Sequence, residues 1–104
     1  MKNVCITGAS GYIGHKLAQF LAEKDEVSQI VGIDIQAPTM AVNKFRFYQR
    51  DVRESVDDIL NACEIDTVIH TAFILPPTHD KQLMEDINVN GTKNILMACQ
   101  RAGI

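Results

Sequence analysis

The sequence has no cluster of basic residues, no long apolar run and too few cysteines to staple a fold. Its ten Lys and Arg are scattered and outnumbered by thirteen Asp and Glu, giving a formal net charge of −3. Nucleic acids and anionic membranes are normally met by clustered Lys and Arg, so neither is expected as a partner. No apolar stretch approaches the ~18–20 residues that cross a bilayer. Cys5, Cys63 and Cys99 are odd in number and each lies in an apolar run. They predict buried thiols in a reducing cytoplasm rather than a disulfide framework. No Cys or His pair has metal-ligand spacing, so no metal is expected. Internal repeats, low-complexity tracts and linkers are also absent, and the first residues show no signal-peptide pattern. What remains is 46% hydrophobic and 22% charged over 104 residues, the profile of one ordinary globular domain.

Short apolar runs alternate with stretches of helical period. Asn3 to Thr7 reads as a brief buried strand. Ile13, Leu17, Phe20 and Leu21 then recur at the spacing of a helix packed on a sheet. Ile30 to Asp34 is apolar nearly throughout, as parallel strands covered on both faces are. Residues 36–44 read as a loop, and Phe45 to Gln49 as a third strand. Val56, Ile59, Leu60 and Cys63 form another helical stripe, with Ser55 the expected N-cap. Thr67 to His70 is a fourth strand, Pro76-Pro77-Thr78 marks a loop, and Met84, Ile87, Gly91, Ile95, Ala98 and Ala102 align on one long helix ending near Gly103. This order predicts an α/β fold: a Rossmann-type doubly wound parallel sheet with right-handed crossovers and strand order 3-2-1-4. Residues 1–104 are expected to form an N-terminal dinucleotide-binding half, truncated where a fifth strand would follow.

The segment Thr7-Gly8-Ala9-Ser10-Gly11-Tyr12-Ile13-Gly14 carries the most chemistry. Three glycines follow a strand and open a helix. Gly8 permits a tight turn, Gly11 lets the backbone approach a pyrophosphate, and Gly14 lets the helix pack near the strand. The helix start offers unpaired N–H groups and a partial positive charge to the phosphates. Asp34 ends the second strand twenty positions after Gly14, where a carboxylate can accept hydrogen bonds from ribose hydroxyls. A 2′-phosphate there meets like charge, roughly 4 kcal/mol at ~4 Å and an effective dielectric of 20. No Lys or Arg offsets it before Lys44. The expected small-molecule ligand is therefore NAD rather than NADP.

TGASGYIG, the GIDI strand ending in Asp34, Asp51-Val52, VIHTA and NVNGTKNIL together resemble the extended short-chain dehydrogenase/reductases, the NAD-dependent epimerases and dehydratases. The likeness runs over essentially the whole chain. It implies that Tyr12 and Ile13 lie against the pyrophosphate through their backbone and that Ile35 flanks the adenosine beside Asp34. It further implies that Asp51 and Val52 bracket the adenine, with the Asp51 carboxylate accepting from its amino group. Thr71, Ala72 and Phe73 are implied to line the cofactor toward the ribose and nicotinamide. Asn88 is implied to fix the active-site end of the last helix. His70 reads as a strand residue with a satisfied ring.

The same resemblance exposes a departure. The family's proton chemistry depends on a Ser or Thr after strand five and a Tyr-x-x-x-Lys pair on the next helix. Tyr12 and Lys16 have that spacing but sit in the phosphate loop and its helix, so no catalytic residue is expected in this chain. The expected function is the NAD-binding portion of an epimerase, dehydratase or reductase, with nucleotide sugars a common family substrate, inactive by itself. The alternative is a non-catalytic NAD-sensing module. An uncovered fourth strand also predicts self-association through its edge.

Overall fold

Side chains on successive strand residues point to opposite faces, and here that alternation sorts the core into two layers. The computed structural model describes residues 1–74 and 80–104. The loop expected at Pro76-Pro77-Thr78 lies outside the described residues. Val4 and Ile6 of strand β1 (Lys2–Thr7) pack with Ile30 of β2 (Val27–Asp34) and with Ala18 of helix α1 (Tyr12–Ala22). Cys5, Val31 and Ile33 point the other way. They meet Ile59 and Leu60 of α2 (Asp57–Ala62) and Ile95 and Ala98 of α4 (Thr92–Ala102). Each fully buried Ile or Val contributes about 1.5–3 kcal/mol, so both faces of the sheet must stay covered.

The sheet is parallel throughout and runs β3 (Phe45–Gln49), β2, β1, β4 (Thr67–His70), the expected 3-2-1-4 order. Register matters for function. Thr7 pairs with Ile33 on one side and with His70 on the other, so β1, β2 and β4 end level with one another. The loops that follow these strands therefore emerge at one edge, where the strand order reverses direction.

Three local expectations change. Strand β2 starts at Val27, before the apolar run at Ile30, because Val27 already pairs with Lys2 and Gln29 with Asn3, with Ser28 left as the extra residue of a register shift between them. Ser55 is not the cap of α2. Val56 occupies that position because it is drawn into the core, 1% exposed, and the Ser55 hydroxyl turns to Asp57 instead. The expected long helix runs unbroken from Lys81 to Ala102, but not as one regular α-helix: α3 (Lys81–Glu85) passes into a π-helical segment, Asp86–Gly91, and then into α4. Gly103, with φ at 77°, ends α4 in the left-handed conformation.

Candidate functional site

The level strand ends are tied together by buried polar groups. Thr7 is 1% exposed, and its Oγ1 accepts the backbone N–H groups of Thr71 (3.1 Å) and Ala72 (3.3 Å). A hydroxyl that accepts twice has only its proton left to give, and the partner is His70 Nδ1 at 2.6 Å. Nδ1 is then the acceptor and Nε2 carries the ring proton, which it donates to Thr92 Oγ1 at 2.8 Å. Burial pushes the His70 pKa below its usual range, consistent with this neutral tautomer. His70 is thus a strut between β1, β4 and α4.

Beyond the strut, a cleft of about 190 Å³ opens at the strand ends. Gly8, Gly11, Asp34, Ile35, Asp51, Val52, Thr71, Ala72 and Phe73 all line it. Four further residues join them: Ile33, Arg50, Ile74 and Ile87. Ile33 and Arg50 adjoin Asp34 and Asp51 in sequence, which was a usable signal. Ile74 adjoins Phe73 in the same way, whereas Ile87 carried no such signal, since its position depends on how the last helix folds over the sheet.

The three loop glycines are there for different reasons. Gly8 has φ at +70°, and a Cβ on it would sit 2.7 Å from the Ala72 backbone nitrogen. A Cβ on Gly14 would collide with the Gly8 carbonyl oxygen, so strand and helix start touch there. Gly11 lines the cleft, and among the described residues its Cβ would meet only the Gly8 carbonyl oxygen, at 3.4 Å. The first turn of α1 opens behind it. The first helical hydrogen bond runs from the His15 N–H to the Gly11 carbonyl. Among the described residues, the N–H groups of Tyr12, Ile13 and Gly14 meet no acceptor, as expected of a helix start.

Asp34 closes the loop from the other side. Its Oδ2 accepts the Ser10 N–H at 3.0 Å and its Oδ1 the Gln36 N–H at 3.2 Å, while the Ser10 hydroxyl donates to the Gln36 carbonyl at 2.6 Å. Ser10 went unnoticed in the sequence because it sits between glycines with no pattern of its own. Asp51 is held by Arg53, whose guanidinium keeps the carboxyl below the usual carboxylate range.

Four expected site residues lie outside the cleft lining. Tyr12 and Ile13 are well exposed, at 73% and 66%, and open α1 directly after Gly11. The Lys16 ammonium lies 5.8 Å from the Tyr12 ring centroid, away from the cleft-lining residues. Gly14 is buried under Gly8. Asn88 sits in the π segment, where its amide donates to the Ile74 carbonyl and accepts the Ile74 N–H, both at 2.8 Å. Its reach to the cleft is through Ile74. Among the described residues, no group of three or more His, Cys, Asp or Glu is placed to hold a metal. Nor is any helix among them long and apolar enough to cross a membrane.

Residues 5–104 match the 3-beta hydroxysteroid dehydrogenase/isomerase family. The human short-chain dehydrogenase/reductase family 42E member 1 is 30% identical over 96% of the chain and 26% of its own length. Among solved structures, UDP-glucuronic acid 4-epimerase from Bacillus cereus in complex with NAD is 28% identical, with a TM-score of 0.78, over 94% of this chain and 36% of its own. The Bordetella bronchiseptica enzyme WbmH in complex with NAD+ is 27% identical, with a TM-score of 0.85, over all of this chain and 36% of its own. The shared architecture is the Rossmann-type doubly wound sheet. The chain spans about a third of the length of curated relatives it matches, 31% and 29% for two of them.

Proposed function

The chain belongs to the 3-beta hydroxysteroid dehydrogenase/isomerase family, and on that premise we propose that it is the NAD-binding part of an NAD-dependent epimerase, dehydratase or reductase. One observation carries this reading. Gly11 leaves open space toward the cleft just where unpaired N–H groups of α1 begin, while Gly8 and Gly14 are packed solid. A cradle that a Cβ would fill, backed by free amides, suits a pyrophosphate.

In this reading Gly8, Gly11 and Gly14 form the phosphate turn, and the Tyr12 and Ile13 backbones face the pyrophosphate. Asp34 accepts from the adenosine ribose hydroxyls, and Ile35 covers the adenosine. Asp51 and Val52 hold the adenine. Thr71, Ala72 and Phe73 border the ribose on the nicotinamide side, and Asn88 keeps that wall in place through Ile74. NAD supplies hydride transfer at its nicotinamide ring when bound. The chain's own residues bind and orient it, and the Asp34 carboxylate disfavours the extra phosphate of NADP.

The relatives that share this span name different substrates: a nucleotide sugar acid for the bacterial epimerase, a hydroxysteroid for the family. Their common part is the dinucleotide half. A nucleotide sugar as substrate is the narrower reading and rests on the epimerase alone. We further propose that the 104-residue chain binds without turning over substrate, that it works in a reducing cytoplasm, and that the outer edge of β4 favours self-association.

Calorimetric titration tests the core of this. Saturable binding of NAD, weaker for NADP, is the expected result. Absence of binding to either dinucleotide would overturn it. Turnover of any substrate by this chain alone would overturn the proposed division of labour. A non-catalytic NAD-sensing module makes the same binding prediction and parts from it only in a protein of the relatives' full length, which as a sensor shows no turnover.

A further inference from the structure

We propose that Arg53, which does not line the cleft, is a positioning residue that gives the cleft its preference for an amino-bearing base, adenine, over a carbonyl-bearing one. The inference rests on the reading that Asp51 faces the adenine of NAD.

An ionised carboxylate offers about four lone-pair sites and no donor. On Asp51, Oδ1 accepts the Arg53 backbone N–H at 2.9 Å and its Nε at 3.0 Å, and Oδ2 accepts Nη2 at 2.7 Å. One residue therefore fills three of the four sites and leaves a single acceptor position on Oδ2. A lone acceptor at a fixed point takes one N–H donor. It repels a carbonyl oxygen placed at the same point.

The fixed point is built from behind. Arg53 Nη1 donates to Asp86 Oδ2 at 2.8 Å, and Asp86 Oδ1 accepts the Asn90 amide at 2.9 Å. Asn94 donates to the carbonyls of Val52 and Glu54, both at 2.7 Å, and Glu54 Oε1 accepts the Asp51 N–H at 2.8 Å. The π segment also makes room for this loop. A Cβ on Gly91 would stand 2.7 Å from Val52 Cγ2. The loop from Asp51 to Glu54 is thus clamped onto the π segment and the start of α4, and Arg53 is the link that passes that rigidity to the carboxylate. Charge works in the same direction, since the guanidinium holds Asp51 ionised and hence acceptor-only.

The test compares NAD with its deamino analogue, in which a carbonyl oxygen replaces the adenine amino group, by calorimetry on the chain and on Arg53→Ala, Arg53→Lys and Asp86→Ala. The wild-type chain is expected to prefer NAD. Arg53→Ala should cut NAD affinity about fivefold, the worth of one hydrogen bond, and leave the analogue unchanged, so that the preference collapses. Arg53→Lys should restore part of it. Asp86→Ala leaves the Arg53–Asp51 pair intact but frees it from behind, and a smaller fall in the same ratio is expected even if Arg53→Ala fails to fold. Equal losses for both ligands would reduce Arg53 to general support and overturn the inference. A wild-type chain that binds both equally would overturn it while leaving the NAD reading standing. A wild-type chain that binds neither brings down both.

Discussion

The Asp34 carboxylate accepts the Ser10 N–H at 3.0 Å and so joins the glycine loop to the end of β2, twenty-four residues away. The same oxygens that organise the loop are those proposed to meet the ribose. Asp34→Ala should therefore lower NAD affinity by about tenfold or more, the scale of a charge-assisted hydrogen bond. Asp34→Asn keeps an acceptor for Ser10 but loses the charge. It should retain most NAD binding and lose much of the discrimination against NADP, read by titration with both. An Asn variant that discriminates like the wild type would show that Asp34 does not select the cofactor.

The glycines should separate on substitution. Gly8→Ala forces a left-handed residue against the Ala72 backbone and should cost about 2 kcal/mol or more in urea denaturation. Gly14→Ala should be at least as costly. Gly11→Ala, with φ at −79° and open space ahead, should leave the unfolding midpoint nearly unchanged. Its methyl projects into the cleft, so NAD binding should weaken about tenfold through lost phosphate contacts. Gly11→Ala that binds NAD normally would remove the phosphate from this loop.

His70 sets an acid limit. Its folded pKa lies below the ordinary value of 6.5, because the half-buried ring is partly withdrawn from water between two threonines. Below about pH 6.5 the unfolded chain takes up a proton that the folded chain refuses. The stability His70 contributes is thus present above 6.5 and lost as pH falls through its lower folded value. An NMR titration of the ring should give a midpoint below 6.5. A midpoint at or above it would contradict the neutral strut.

Cys5 sets an alkaline limit. Burial pushes its thiol from 9.0 to about 12. Between those values the unfolded state sheds a proton that the folded state keeps. The Cys5 contribution is full below pH 9 and declines by up to about 1.4 kcal/mol per pH unit above it. Comparing the wild type with Cys5→Ala by denaturation from pH 8 to 11 should show the steeper fall in the wild type. Parallel curves would mean that the thiol ionises freely in the fold.

Much of this fold could be read in advance from local pattern. Strands β3 and β4 fall on the residues their composition marked, and the 3-2-1-4 order follows from alternating apolar runs and the handedness of crossovers. Of the cleft-lining residues, Asp34 was legible from its place at the end of β2 and its spacing from the glycines, whereas Ile35, Asp51, Val52, Thr71, Ala72 and Phe73 were implied by the family resemblance. The π segment was not. Its stripe Met84, Ile87 and Gly91 keeps a helical spacing, and one wider turn leaves no compositional mark.

The sequence by itself determined the chain's layers and the place where a ligand belongs. Those follow from periods of two and about 3.6, and from glycine and acidic residues at strand ends, all within short spans of chain. The part expected of each glycine followed from its place between strand and helix, but only the tertiary structure decided the contacts that enforce it: the Ala72 backbone against Gly8 and the Gly8 carbonyl against Gly14. It also decided that Arg53 serves Asp51 with Asp86 at its back. That contact spans thirty-three residues and forms only once the last helix has crossed over the sheet. Hydrogen bonds act over a few ångströms in space, and distance along the chain does not reveal which groups will come that close.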